Sequence, residues 1–197
     1  MSRKEAILDA ALNLFNETNT QSATTNHIAK AMGISPGNLH YHYKNREEIV
    51  RLLYLELRNK AFLSVDELPK NIEELQKHEK LLIGIQWKYR FFFKEMLFLF
   101  SRDKELEEMY IKDNIAHRER ISRSMKIFEE EGELHFPDTQ SFEYVVDSIL
   151  MSWQFYASYL HTLGKTLDSQ GAVSAVEHTH NAMRPYMTHK ENTDAKT

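Results

Sequence analysis

Residues 24–46 read TTNHIAKAMGISPGNLHYHYKNR, and the fold turns on how this stretch is parsed. Two short helical patterns meet at a glycine. Thr24 or Thr25 can cap the first, whose inward positions are Ile28, Ala29 and Met32. Gly33 stands where a helix leaves through a left-handed residue, and Ile34 turns the chain back inward. Ser35 is a good N-cap and Pro36 a good first helical residue, because proline's missing N–H would be unpaired there anyway. Leu39 and Tyr43, four apart, share a face and anchor the second helix. Gly37, Asn38, His40, Tyr41 and His42 are left to look outward. A helix that spends aromatic and hydrogen-bonding side chains on its exposed face needs a polar partner. The spacing suits a helix-turn-helix, about residues 24–43, whose second helix enters a DNA major groove.

The same grammar extends in both directions. Upstream, Ile7, Ala11, Leu14 and Phe15 give residues 3–17 a helical period. Downstream, Asn45 and Glu48 form a capping pair that opens a further helix with Ile49, Leu52, Leu53 and Leu57 as its buried stripe. The expected fold is all-α. A three-helix head with a fused fourth helix occupies 1–60, a helical regulatory and dimerisation body 61–188, and a polar, disordered tail 189–197. Asp66-Glu67-Leu68-Pro69-Lys70 marks the joint between head and body.

Over roughly residues 5–55 the sequence resembles the tetracycline-repressor (TetR) family of bacterial transcription regulators. The motifs that carry the likeness are Leu14-Phe15, Thr24-Thr25, Ile28-Ala29, Gly33, Ser35-Pro36-Gly37-Asn38-Leu39, Tyr41-His42 and Lys44-Asn45-Arg46-Glu47-Glu48. Beyond residue 60 the likeness is one of architecture. The resemblance implies that Thr25 holds a phosphate and that Ser35, Gly37, Asn38, His40, Tyr41 and His42 face the DNA. It also implies that Lys44 and Arg46 approach the backbone. Elementary recognition chemistry divides the labour the same way: hydroxyls, N–H groups and cations position the protein, while a few outward side chains read base edges. Two positions depart from the family's pattern. His40 stands where an aromatic or bulky residue is usual. Asn19-Thr20 replaces a glycine-and-aromatic loop, with asparagine expected to supply the left-handed turn.

Composition sets the outer limits. There is no cysteine, which removes a disulfide framework and thiolate metal sites and permits a reducing, cytoplasmic location. The longest uncharged stretch, 148–163, is too short and too polar to span a bilayer, so no membrane association is expected. Residues 1–60 carry 8 Lys+Arg against 6 Asp+Glu, and the remainder 17 against 23. A head slightly positive on an acidic body argues for short-range, salt-sensitive DNA docking instead of a general coating of polyanions. His40/His42 and His178/His180 are spaced i, i+2 and point apart on a helix, which defeats metal ligation. No Gly-x-Ser-x-Gly elbow, phosphate-cradling glycine loop or His-Glu-x-x-His occurs, so neither an enzyme nor a cofactor is expected.

In the body, seven aromatics fall between Trp87 and Phe100. Ile85, Tyr89, Phe92, Phe93 and Met96 form one stripe of a long helix, with Trp87, Phe91 and Phe98 on a second. Such rings are routinely plain core. In the family this region binds small effectors, which makes Trp87, Tyr89, Phe92, Phe93, Met96, Tyr110, Trp153 and Tyr156 candidates for the lining of a pocket. Charged residues 102–131, then 140–163 and 169–187, complete the helices. The last two are apolar on two sides, which points to a homodimer interface drawing on Ser152, Phe155, Tyr159, Ala172, Ala175, Val176 and Met183. A monomeric bundle is the alternative. The reading as a whole is a homodimeric repressor on an inverted-repeat operator in double-stranded DNA, released by a hydrophobic small molecule. The competing reading is a ligand-independent DNA-marking protein whose body recruits a protein partner.

Overall fold

A computed structural model describes residues 2–62, 67–165 and 169–188, with only the backbone described for 169–172. Among the described residues the chain is all-helical. The helices are α1 (Arg3–Glu17), α2 (Thr25–Ala31), α3 (Pro36–His42), α4 (Arg46–Ala61), α5 (Ile72–Lys88), α6 (Arg90–Arg102), α7 (Lys104–Glu130), α8 (Thr139–Thr162) and α9 (Ser169–Met183). A 3-10 turn, Arg184–Tyr186, follows, and a lone antiparallel bridge between Leu134 and Met187 latches the end of α9 to the loop after α7. The tail 189–197 and the joint residue Asp66 lie outside the described residues, as does the side chain of Ala172.

The helix ends explain themselves from sequence. Thr24, not Thr25, caps α2: its hydroxyl accepts from the His27 N–H, and His27 Nδ1 accepts the Thr24 N–H at 3.3 Å. Gly33 leaves α2 with φ +65°, a conformation open to glycine at little cost. Ser35 caps α3 with Pro36 as its first residue, and Asn45 caps α4 through the Glu48 N–H at 2.8 Å. Asn19 behaves differently from expectation, since none of the described non-glycine residues has positive φ. Its side-chain oxygen accepts the Ser22 N–H at 2.7 Å, and this bond makes the turn without left-handed backbone.

The aromatic stretch is two helices, not one. Asn16 of α1 makes the break. Its Oδ1 accepts the Phe91 N–H at 3.1 Å and its Nδ2 donates to the Lys88 carbonyl at 2.8 Å, so one side chain supplies both partners that a continuous helix would have needed. Tyr89 sits at the corner, fully buried, with its hydroxyl donating to Glu56 and accepting from Lys60 on α4.

Two hydrophobic cores result. The first joins α1–α4 to α6, the start of α7 and part of α8, through Phe15, Leu39, Tyr54, Phe91, Phe92 and Leu106 among others. The second lies at the far end, around Met125, Phe128, Phe142, Val145, Val146 and Met183. Polar bonds sew α1–α4 to the rest. The Thr20 N–H and hydroxyl both donate to Glu95, Arg51 pairs with Asp103 at 2.8 Å, and the Tyr54 hydroxyl donates to Asp113 at 2.8 Å.

Candidate nucleic-acid interface and internal cavity

The first four helices leave one polar row uncovered. Leu39 is fully buried and Tyr43 nearly so, with the Tyr43 hydroxyl donating to the Lys4 carbonyl at 3.0 Å. That pinning fixes the rotation of α3 about its own axis. Ser35, Gly37, Asn38, His40, Tyr41 and Lys44 consequently lie exposed on one side, and His42 and Thr25 are half-covered beside them. Tyr41 is 86% exposed, the most uncovered large ring of the described chain, and its only ring contact is an edge-on approach to His42 at 5.2 Å. A ring held in water by a rigid short helix is ready to bury itself against something else. Arg46 is half-covered and bonded within the fold. Its guanidinium donates to the Thr20 carbonyl and pairs with Glu47 at 2.9 Å, which fastens the turn after α1 to the start of α4.

The body contains a cavity of about 90 Å³ where the two cores fail to meet, bounded by α5, α7, α8 and α9. Its walls are apolar over Leu75, Leu82, Ile121, Met125, Ile149 and Trp153, with His78, Glu79, Gln86, His117 and Arg120 among the polar contributors. A smaller hollow of about 20 Å³ lies toward α4, among Tyr54, Phe62, Phe92, Phe93, Tyr110 and Trp153. His117 and Trp153 border both.

This redistributes the expected effector residues. Trp153 reaches the larger cavity, and Phe92, Phe93 and Tyr110 reach only the smaller one. Tyr89 and Met96 are core residues that line neither, because the corner between α5 and α6 turns them against α4 and α1. Trp87 is 37% exposed, under the Arg90 guanidinium at 4.3 Å, and Tyr156 packs beside Tyr159 and His178. The cavity residues missed by periodicity are the mixed set from α5, α7 and α9, which in sequence read as ordinary solvated or core positions.

Burial governs the polar groups of this region. His117 is held neutral, its pKa lowered to about 4, mainly by desolvation and then by the nearby Arg120 and His78. Unfolding restores the ordinary value near 6.5, so protonation favours the unfolded chain. The stability held in neutral His117 is complete above pH 6.5 and drains away as the pH falls toward 4, by about 2–3 kcal/mol between pH 7 and 4.5. His180, raised by its hydrogen bond to Glu79, works in the opposite sense. The expected result is that urea unfolding at pH 7 and 4.5 shows a smaller acid loss for His117→Gln than for the parent. Equal losses would mean that His117 titrates as it does in water.

The expected dimer residues divide as well. Tyr144, Met151, Phe155 and Tyr159 are exposed and spaced to share one side of α8, and Val173 is exposed on α9. Ser152 is half-covered beside them. Ala175 and Met183 are instead buried within the subunit, and Ala175 and Val176 line the cavity, because α9 packs its small residues against α5 and α8.

Comparison with known proteins falls into the same pattern. Residues 7–53 match the family described as "Bacterial regulatory proteins, tetR family", and residues 54–194 the family described as "Bacterial transcriptional repressor". Among curated relatives, the biofilm operon negative transcriptional regulator IcaR of Staphylococcus epidermidis is 26% identical over 180 residues, covering 85% of this chain and 90% of its own. The class D tetracycline repressor protein of Escherichia coli is 37% identical over 54 residues, covering 27% of this chain and 25% of its own. A TetR-family transcriptional regulator from Marinobacter aquaeolei superposes with a TM-score of 0.85 at 23% identity, over 95% of this chain and 92% of that one. A PfmR regulator from Thermus thermophilus does so at 0.69 and 18% identity, over 90% and 97%. The described part contains no helix long and apolar enough to cross a membrane. With matched families running almost end to end over a helix-turn-helix head and a hollow helical body, the chain belongs to the TetR family of bacterial transcriptional repressors.

Proposed function

We propose that the protein is a homodimeric repressor that reads an inverted-repeat operator through α3 and leaves it when a hydrophobic small molecule enters the body. The observation that carries the DNA reading is the row of Asn38, His40 and Tyr41, uncovered on a helix whose opposite face is locked by Leu39 and Tyr43. Asn38 and Tyr41 supply base-edge contacts, His40 and His42 flank them, and Ser35, Gly37, Thr25 and Lys44 hold the phosphate backbone. Two copies joined through the exposed apolar residues of α8 and α9 present two such helices. Adjacent major grooves lie about 34–36 Å apart, which calls for a two-fold symmetric DNA site. The open cavity supports ligand-controlled release over the competing picture of a ligand-independent DNA-marking protein, whose body would be filled.

The test is selection of bound duplexes from a random DNA pool by the purified protein, with its mass measured by light scattering. Recovery of an inverted repeat by a dimer is expected; no enrichment at moderate salt would overturn the reading. The selected site then checks the phosphate assignment. Lys44→Ala is expected to weaken binding to all sequences alike and to lower the salt slope by about one contact. A loss confined to particular bases would make Lys44 a base reader.

A further inference from the structure

The cavity wall carries charge in two places, and the two differ in whether that charge is already matched. At the first, Glu79 is 5% exposed, with His180 Nε2 2.6 Å from one oxygen and Thr179 Oγ1 2.8 Å from the other, the Thr179 hydroxyl also lying 2.7 Å from the Val176 carbonyl. The hydrogen bond to Glu79 raises the pKa of His180, so the carboxylate is answered from within the protein. At the second, Arg120 of α7 lays its guanidinium over the Phe62 ring, with Cζ 4.9 Å from the centroid. Its Nε is buried and has no hydrogen-bond partner among the described residues. Of all the buried side-chain nitrogens and oxygens described, this is the one left unsatisfied.

Arg120 as a whole is half-buried, but its Nε–H is cut off from water with only an aromatic face beside it, and the partner that would complete it is an anion whose oxygens can accept from it. Desolvation accordingly lowers the pKa of Arg120, against the distant pull of Asp113 and Glu119. The neighbouring His117 adds no second charge, because burial keeps it neutral. The place therefore suits a single negative charge better than a double one. A cationic ligand at Glu79 would have to compete with the His180 and Thr179 contacts already made there. A neutral ligand could at best offer an uncharged acceptor to Nε–H, a weaker bond than the charge-assisted one a carboxylate makes.

We propose that the cavity binds an amphipathic monoanion, a carboxylate on a hydrophobic body, with the carboxylate on the Arg120 guanidinium and the body among Leu75, Leu82, Ile121, Met125, Ile149 and Trp153. This deepens the ligand-release reading by naming the class of ligand. Phe62, which closes α4, shares the Arg120 guanidinium with the incoming anion, so occupancy is felt at the end of a helix that begins just beyond α3.

The test is calorimetric titration of the full-length protein with sodium decanoate and sodium 4-phenylbutyrate, each beside the alcohol of the same carbon skeleton. At least one acid is expected to bind tenfold or more tightly than its alcohol, a preference of about 1.4 kcal/mol. Arg120→Gln should abolish that preference while leaving the alcohol's affinity within about twofold, which also certifies that the variant's cavity is intact. Arg120→Lys should keep part of it. The acid-to-alcohol ratio of the parent protein stands as a test on its own should Arg120→Gln fail to fold. Equal affinity of acid and alcohol would mean that Nε is merely hydrated and would overturn the proposal. Failure of both acids to bind, or a preference that survives Arg120→Gln, would overturn it too. Operator release measured in the same titrations separates the two ideas. Arg120-dependent acid binding without release upholds the monoanion site and defeats the release reading. Release by the alcohols with no preference for the acids does the reverse.

Discussion

Asn38→Ala combined with Tyr41→Ala is expected to weaken operator binding by about 100-fold or more, while the protein stays folded and keeps its oligomeric state. Well-placed base-edge contacts contribute about 1–3 kcal/mol each, so losing two costs about 2–6 kcal/mol, most of which range lies above the ~2.7 kcal/mol that a hundredfold change requires. The fold should not register the change. Both side chains are exposed on α3, the Tyr41 ring is 86% uncovered, and the cap of α3 runs through the Asn38 backbone N–H, which alanine retains. Fluorescence anisotropy on the selected duplex at one fixed salt concentration measures the loss, with circular dichroism and light scattering as controls. Binding within about threefold of the parent would place the reading face elsewhere.

Phe92→Ala carries the largest expected cost in stability, about 3–5 kcal/mol. Phe92 is 1% exposed and lies at the centre of a knot of rings. It stacks on Tyr54 at 5.1 Å, meets Tyr110 at 5.8 Å and Phe93 at 6.0 Å, and has Phe100 at 6.3 Å. Truncation removes the transfer energy of the ring and opens a void that four stiff neighbours cannot fill. Because the knot binds α4 to α6 and α7, the loss belongs to the whole fold and not to one helix. Urea unfolding at fixed protein concentration reads it directly. A cost under about 1 kcal/mol would mean that the small hollow beside Phe92 already lets the rings relax.

The two predictions draw on parts of the molecule that were unequally legible in sequence. Around α3 the signals are local and mutually consistent. Ser35-Pro36, Gly33 and the Asn45–Glu48 pair each fix a helix end within a few residues, and the Leu39/Tyr43 spacing then fixes which face is left over. The exposed row follows without knowledge of anything distant. The corner at Tyr89 could not be read that way. Periodicity ran smoothly through it, and the break is imposed by Asn16, 75 residues away from the Phe91 N–H it accepts. The bond of Arg46 to the Thr20 carbonyl was out of reach for a similar reason: it is set by how α1 and α4 pack.

The cavity was less legible still. In sequence the aromatic stripe is equally consistent with plain core and with the lining that the family resemblance implies; in the structure most of its rings close the first core. The hollow opens between that core and the second, where Leu82, His117 and Ala175 come from three different helices. A void is a shortage of atoms after packing, and no residue pattern spells it. Arg120 is the sharpest case. In sequence it is one charge among many on a charged helix; only burial distinguishes it.

The seam between α1–α4 and the body bears on how such a protein can be recombined. Asn16, Thr20 and Arg51 all find their partners outside the first four helices, at Lys88, Phe91, Glu95 and Asp103. A chimaera cut after residue 60 would sever these bonds along with those of Tyr54 and Arg58 to Asp113 and of Glu56 and Lys60 to Tyr89, and would inherit a body whose Glu95, Asp103 and Asp113 face strangers. The partners of α1–α4 come from the end of α5, from α6 and from the first three turns of α7, a set separated from them in the gene by most of α5. Homologous exchange at a single crossover after α4 leaves that set behind, which ties the specificity of the reader to the lineage of the body beneath it.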